Sequence, residues 1–148
     1  MKIYIGSDHA GVDLKSQIKT RLEDRFEFDD AGTFTSDSVD YPDFAHKVAE
    51  NVLKDSSSIG ILICGTGNGM AITANKHAGI RAALCWSPDI AALAKQHNNA
   101  NIIVLPARFI STEMAMDTLQ AFLNAEFEGG RHQRRIDKIN IWLWKRLF

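Results

Sequence analysis

Residues 59–75, Ile-Gly-Ile-Leu-Ile-Cys-Gly-Thr-Gly-Asn-Gly-Met-Ala-Ile-Thr-Ala-Asn, restrict the possible folds of this chain more than any other stretch. The run 59–63 is apolar and rich in β-branched side chains, the composition of a strand buried on both faces of a parallel sheet. It stops at Cys64. Gly65, Gly67 and Gly69 follow at alternate positions, where the backbone can turn sharply and present bare N–H groups; residues 70–76 resume with helix formers. A strand that hands its last side chain to a glycine loop opening a helix makes an anion site, because unpaired N–H groups and the positive end of the helix dipole converge there. A cysteine at a strand end is, taken alone, a small buried hydrophobe. Beside a helix N-terminus, which favours thiolate over thiol, Cys64 becomes a candidate base or nucleophile. The loop is not the dinucleotide fingerprint, since Met70 stands where Gly-x-Gly-x-x-Gly needs its third glycine and no acidic residue ends the next strand. It is not a triphosphate loop either, since no Gly-Lys-Ser/Thr follows.

The rest of the 148 residues repeats the same alternation. The patterning predicts strands at 2–6, 26–29, 59–64, 81–85 and 101–105. Between them, besides the helix at 70–76, it predicts a helix carrying Val12, Leu14, Ile18 and Leu22, a second from about Pro42 to 54 with Phe44, Val48 and Val52 on one face, and a fourth from 87–88 to about 96. Helices near 112–123 and from Arg131 complete the chain. This βαβα rhythm in one length-limited domain, residues 1–148, predicts an α/β fold: a five-stranded parallel sheet with helices on both faces and ligands bound beyond the carboxyl ends of the strands. A net charge of −1 supplies no global field for nucleic acid or an acidic membrane. Cys64 and Cys85 both end apolar runs, and without a Cys-x-x-Cys pair they point to reduced thiols rather than a disulfide or a zinc site. A strand begins at Lys2 with no apolar leader or spanning segment, so a soluble cytoplasmic protein with no membrane partner is expected.

Polar residues accumulate where the elements end. Asp8 and His9 follow strand one, Asp40-Tyr41-Pro42 precedes the second helix, His97-Asn98-Asn99 lies between the fourth helix and strand five, and Arg108 follows strand five. Arg131, His132, Arg134 and Arg135 follow Gly129-Gly130. Each has a structural explanation: an N-cap for Asp8, a loop with a cap for 40–42, a helix C-cap for His97 and Asn98, a solvated face for the arginines. Taken together they supply a thiol base, a backbone oxyanion site, imidazoles for proton traffic and guanidinium groups for bidentate phosphate binding. That set suits proton transfer next to a carbonyl on a phosphorylated small molecule.

Seven motifs, in order, resemble the type B ribose-5-phosphate isomerases, a family that also includes enzymes acting on allose and galactose 6-phosphates. They are Gly-Ser-Asp-His-Ala-Gly at 6–11, Asp-Tyr-Pro at 40–42, Cys-Gly-Thr-Gly-Asn-Gly at 64–69, Ala-Asn-Lys at 74–76, Gly-Ile-Arg-Ala at 79–82, Gln-His-Asn-Asn at 96–99 and Gly-Gly-Arg-His-Gln-Arg-Arg at 129–135. The resemblance spans roughly residues 2–140. It implies a Rossmann-like αβα sandwich with a C-terminal helix, no cofactor and no metal, and a homodimer, or a higher assembly of it, with active sites at the subunit interface. It also implies roles. Cys64 matches the proton-abstracting base and Thr66 a hydroxyl that assists it; Gly65, Gly67, Asn68 and Gly69 complete the loop that holds the enediolate. His97 matches the residue that opens the furanose ring and Asn98 a substrate hydrogen-bonding residue. Asp8 and His9 match residues at the ring and phosphate end, Arg108, Arg131 and Arg135 match the phosphate- or substrate-binding arginines, and Tyr41 lies near the site. A branch of the family replaces the cysteine by a glutamate just after the last loop glycine; here that position is Met70, so the thiol route is the one this chain offers.

The main rival is the same mechanism on a 6-phosphohexose such as allose 6-phosphate. The paired-chain galactose 6-phosphate enzymes are disfavoured because one chain carries both the Asp8-His9 pair and Cys64. A non-catalytic phosphate-binding module would keep the glycine loop and arginines without needing Cys64 and His97. The apolar tail, residues 141–148, lies outside the resemblance. At helical spacing Ile141, Trp144 and Phe148 share a face, which predicts packing on a neighbouring subunit or on the chain's own domain.

Overall fold

The computed structural model of the chain describes residues 1–147. Five parallel strands, β1 (Lys2–Ser7), β2 (Glu27–Asp30), β3 (Ile59–Cys64), β4 (Ala82–Leu84) and β5 (Ile102–Pro106), form one sheet in the order β2-β1-β3-β5-β4. The helices are α1 (Val12–Leu22), α2 (Tyr41–Lys54), α3 (Asn68–Ala74), α4 (Pro88–Asn98), α5 (Thr112–Asn124), α6 (Arg131–Asp137) and α7 (Ile141–Leu147). A short 3-10 turn, His9–Gly11, leads into α1. No described helix is long and apolar enough to cross a membrane.

Alternation along the strands divides the interior into two cores. Ile3, Ile5, Ile61, Ile63, Ile103 and Leu105 point to one face and pack against Leu14 and Ile18 of α1, Ala91 of α4, and Leu119 and Phe122 of α5. Leu62, Cys64, Ile102 and Val104 point to the other, against Ala45, Val48 and Val52 of α2 and Met70 and Ala74 of α3. The result is the expected αβα sandwich. All six residues of β3 are buried, as a strand covered on both faces requires. Gly60 is needed for that cover: a Cβ there would lie 2.8 Å from Ile102 Cγ1 and 2.9 Å from Val48 Cγ1, so a larger residue would push α2 off the sheet.

The predicted boundaries hold to within a few residues, with physical reasons for the departures. β5 starts at Ile102, one residue later than expected, and the Asn101 side chain before it ties the segment that precedes β4: its Oδ1 accepts from the Arg81 N–H (2.8 Å) and its Nδ2 donates to the Gly79 carbonyl (2.9 Å). The helix expected from Arg131 is two helices. Asn140 restarts the chain as α7, its Oδ1 accepting from the Trp142 N–H at 3.0 Å in the manner of an N-cap. None of the residues of α7 is buried. Its Ile141 and Leu143, with Ile80 and Ile136, line an open cavity of about 470 Å³ against the 75–81 segment, and Phe148 of the predicted tail face lies outside the described residues.

One polar cluster sits under the sheet's carboxyl edge. Lys15 Nζ, buried on α1, donates to Asp30 Oδ1 (2.7 Å) and to the Thr33 carbonyl, while Lys19 Nζ reaches Asp30 Oδ2 (2.9 Å) and the Gly32 N–H donates to Asp30 Oδ1 (2.9 Å). Burial alone would raise the Asp30 pKa, but the two lysines and the Gly32 N–H outweigh it and hold the carboxyl below its ordinary range. Burial moves Lys15 down from its own ordinary value. The cluster pins the loop that runs from β2 toward Asp8.

A candidate active site divided between two edges of the sheet

At the carboxyl edge, β1, β3 and β5 end side by side, with Ser7 opposite Ile63 and Cys64 opposite Pro106. The Asp8 N–H donates to the Ile63 carbonyl (3.1 Å), and its Oδ1 accepts from the Ala10 N–H (2.9 Å), capping the 3-10 turn. His9 Nδ1 accepts from the Val39 N–H at 3.3 Å, tying in the segment that precedes α2. Cys64 is buried at the end of β3. Gly65 accepts from the Arg108 N–H (3.0 Å), and the Arg108 guanidinium lies along it: a Cβ on Gly65 would be 3.2 Å from Nη1.

Two glycines of the loop are required by geometry. Gly67 has φ 79°, and a Cβ there would stand 2.3 Å from Leu84 Cδ1. Gly69 lets Tyr41, the first residue of α2, lie over the loop; a Cβ would come within 2.6 Å of two ring carbons. Thr66 Oγ1 accepts from the Asn68 N–H (3.2 Å), and the helical bonding of α3 begins with the Ala71 N–H to Gly67. The N–H groups of Gly69 and Met70 are therefore the first-turn donors left for an anion.

Two aromatic residues join this edge that the sequence reading passed over. Trp86 and Phe109, 53% and 72% exposed, surround an apolar hollow of about 280 Å³ with Thr66, Asn68, Leu84 and Pro106. Their signal was available: each stands within three residues after a strand, where the polar site residues were sought.

His97, Asn98, Arg131 and Arg135 lie elsewhere. In a parallel sheet a helix that follows one strand's carboxyl end must return to the next strand's amino end, so the last turn of α4 sits at the amino edge. Arg81 Nε donates to the carbonyls of Asn98 and Asn99 there, both at 3.0 Å. The five residues of β5 separate this edge from Cys64 by about 16 Å at 3.3 Å per residue. The His97 ring stacks on His132 (centroids 4.2 Å apart, planes 10° apart), with Glu128 carboxylate oxygens 3.9 Å from His97 Nε2 and 3.7 Å from His132 Nε2. His132 is buried and its Nε2 has no hydrogen-bond partner; burial first, then His97 and Arg131 nearby, lowers its pKa from the ordinary histidine value. Arg131 and Arg135 stand exposed on α6. One chain thus brings Asp8, His9, Tyr41, the 64–69 loop and Arg108 together and holds His97, Asn98 and the two α6 arginines apart from them.

The sequence pattern of the Ribose/Galactose Isomerase family matches residues 3–139. The ribose-5-phosphate isomerase B of Escherichia coli is 45% identical over 139 residues, 93% of each chain. Among solved structures, a ribose 5-phosphate isomerase of Thermotoga maritima superposes with a TM-score of 0.92 at 52% identity, covering 95% of this chain and 97% of that one. The ribose-5-phosphate isomerase B of Mycoplasma genitalium, solved with bound ribulose-5-phosphate, gives a TM-score of 0.92 at 49% identity over 95% of both chains.

Proposed function

The chain belongs to the ribose/galactose isomerase family, and we propose that it interconverts ribose 5-phosphate and ribulose 5-phosphate at sites made from the carboxyl edge of one copy and the amino edge of another. The observation that carries this reading is the separation itself: Cys64 and His97 stand on opposite edges of the sheet, so neither edge alone holds both a carbon base and a ring-opening group. A homodimer that apposes the two edges completes two equivalent sites.

The conversion exchanges oxidation states between adjacent carbons, so its atoms balance without a co-reactant. His97 passes a proton to the ring oxygen and accepts one from the anomeric hydroxyl, giving the open aldehyde. Cys64 as thiolate takes the proton from carbon two. The negative charge that develops on the carbon-one oxygen falls toward the Gly69 and Met70 N–H groups, each such donor being worth about 10²–10³ in rate. A proton reaches that oxygen, the carbon-two hydroxyl gives one up, and Cys64 returns its proton to carbon one, leaving the ketose. The Thr66 oxygen accepts from the Asn68 N–H, so its own O–H is free to donate toward the substrate oxygens. Asp8 and Asn98 hold the sugar hydroxyls, Tyr41 covers the loop, and Arg108, Arg131 and Arg135, with His9, hold the phosphate so that remote binding positions carbon two. Two free thiols, Cys64 and Cys85, suit a reducing cytoplasm.

Parallel assays on ribose 5-phosphate and allose 6-phosphate, with Cys64→Ala alongside, test the reading. Turnover of the pentose that vanishes in the variant, with an unchanged melting curve, is the expected result. Turnover of the hexose alone would keep the mechanism and change the substrate, and turnover of neither would favour a non-catalytic phosphate-binding module.

A further inference from the structure

We propose that His97, Glu128 and His132 form a transition-metal site that takes Zn²⁺ or a similar borderline divalent cation, and that filling it inhibits the enzyme by immobilising His97. Only the inhibitory half rests on the role given to His97 above. The three side chains offer one donor atom each, and these atoms all lie within 4.8 Å of one another. Two imidazoles and a carboxylate are a donor set that zinc uses with a fourth position left open, and imidazole also suits nickel and copper. The cysteine count spoke against a thiolate zinc site; these donors are of another kind.

An independent observation points to a ligand at this place. His132 is only 5% exposed, and its Nε2 reaches no hydrogen-bond partner, the nearest carboxylate oxygen being 3.7 Å away, beyond hydrogen-bond length. An unpaired buried polar atom is costly, and a cation between it and Glu128 satisfies both. The site is also partly assembled. Burial fixes His132, and the Glu128 N–H donates to the Gln96 carbonyl (3.0 Å), which anchors its backbone beside the last turn of α4. Tetrahedral zinc, with bonds near 2.0–2.1 Å, needs donors about 3.3 Å apart. The half-exposed His97 and Glu128 side chains therefore close in, and the His97 ring tilts out of its stack on His132. Arg131 and Arg135 on the same helix oppose a cation, which sets the expected affinity in the micromolar range rather than tighter.

Zn²⁺ binding to the reduced full-length protein, followed by competition with a chromogenic chelator, tests the site. Two other places could bind the metal, the Cys64 thiol and the exposed His46–His77 pair, whose Nδ1 and Nε2 lie 2.7 Å apart. The measurement therefore uses a Cys64→Ser/His46→Ala/His77→Ala background. The expected result is one Zn²⁺ per chain, weakened at least tenfold by Glu128→Gln and by His132→Asn. Glu128→Gln is isosteric and exposed, so it keeps the test meaningful if His132→Asn unfolds α6. Stoichiometric binding that is lost in the background, or that survives both further substitutions unchanged, would overturn the site. In the otherwise native chain, chelator-reversible inhibition by micromolar Zn²⁺ should weaken by the same factor in Glu128→Gln; inhibition that does not move with Glu128 overturns the inhibitory claim. Affinity is read without turnover. Protein that binds zinc at these residues but isomerises neither sugar supports the site and sinks the isomerase reading, and protein that isomerises but binds no zinc sinks the site alone.

Discussion

The two edges of the sheet are built from different materials. At the carboxyl edge the groups of the proposed site are mostly backbone: a left-handed Gly67, first-turn amides of α3, and a Gly69 that Tyr41 crosses without room for a methyl group. At the amino edge they are side chains on helix ends, two stacked imidazoles, a carboxylate and exposed arginines. The first edge has no room for an added carbon at Gly67 or Gly69, whereas at the second Glu128, Arg131 and Arg135 are exposed and His132 is the buried member. On the proposed reaction, chemistry that depends on geometry and binding that depends on charge would be divided along the length of one strand.

The sharpest way to break this comparison is to mix inactive variants. Cys64→Ala and His97→Asn should each be inactive, and refolding them together should restore about a quarter of wild-type activity, because half of the random dimers then carry one intact site of two. No recovery would mean that each chain works alone. The next largest effect belongs to the carboxyl edge: Gly69→Ala should lower kcat/KM about 10²-fold by displacing the loop, and adding Tyr41→Ala should recover part of it. At the amino edge Arg131→Ala should raise KM about tenfold and lower kcat by less, because Arg108 and Arg135 still hold the phosphate that positions carbon two. An equal fall in kcat would blur the division. The smallest expected effect is on folding beneath the carboxyl edge. Lys15→Met leaves Asp30 with Lys19 and the Gly32 N–H and should cost about 1–3 kcal/mol in chemical denaturation. Because the Asp30 carboxyl is held below its ordinary value of 3.8, its contribution is fully present above that pH and disappears as the pH falls below it. Asp30→Asn should therefore lose stability at neutral pH and show a flatter acid limb than the wild type.

Much of the carboxyl edge was legible from the residues. An unbroken apolar strand, a cysteine and three alternating glycines admit few arrangements, and β3, the turn and α3 fall where that reading puts them. The amino edge was harder. His97 and Asn98 lie next to a strand in sequence, but they precede it, and in a parallel sheet residues before a strand and residues after one are a strand's length apart. His132 read as part of a solvated basic face, and only tertiary packing against α4 reveals that it is buried under His97. Glu128 gave no signal, because an isolated glutamate after a helix carries no periodicity. What α7 packs against was no more legible: its apolar pattern predicts packing, yet within one chain none of its residues is buried.

The length of β5 has a consequence for kinetics. Five buried residues between the edges form a spacer that no loop motion can shorten, so on the proposed shared site a solitary chain would be fully folded and still inert. Activity would then depend on encounter: on dilution below the assembly constant the rate should pass from first to second order in protein, while the circular dichroism per chain stays constant.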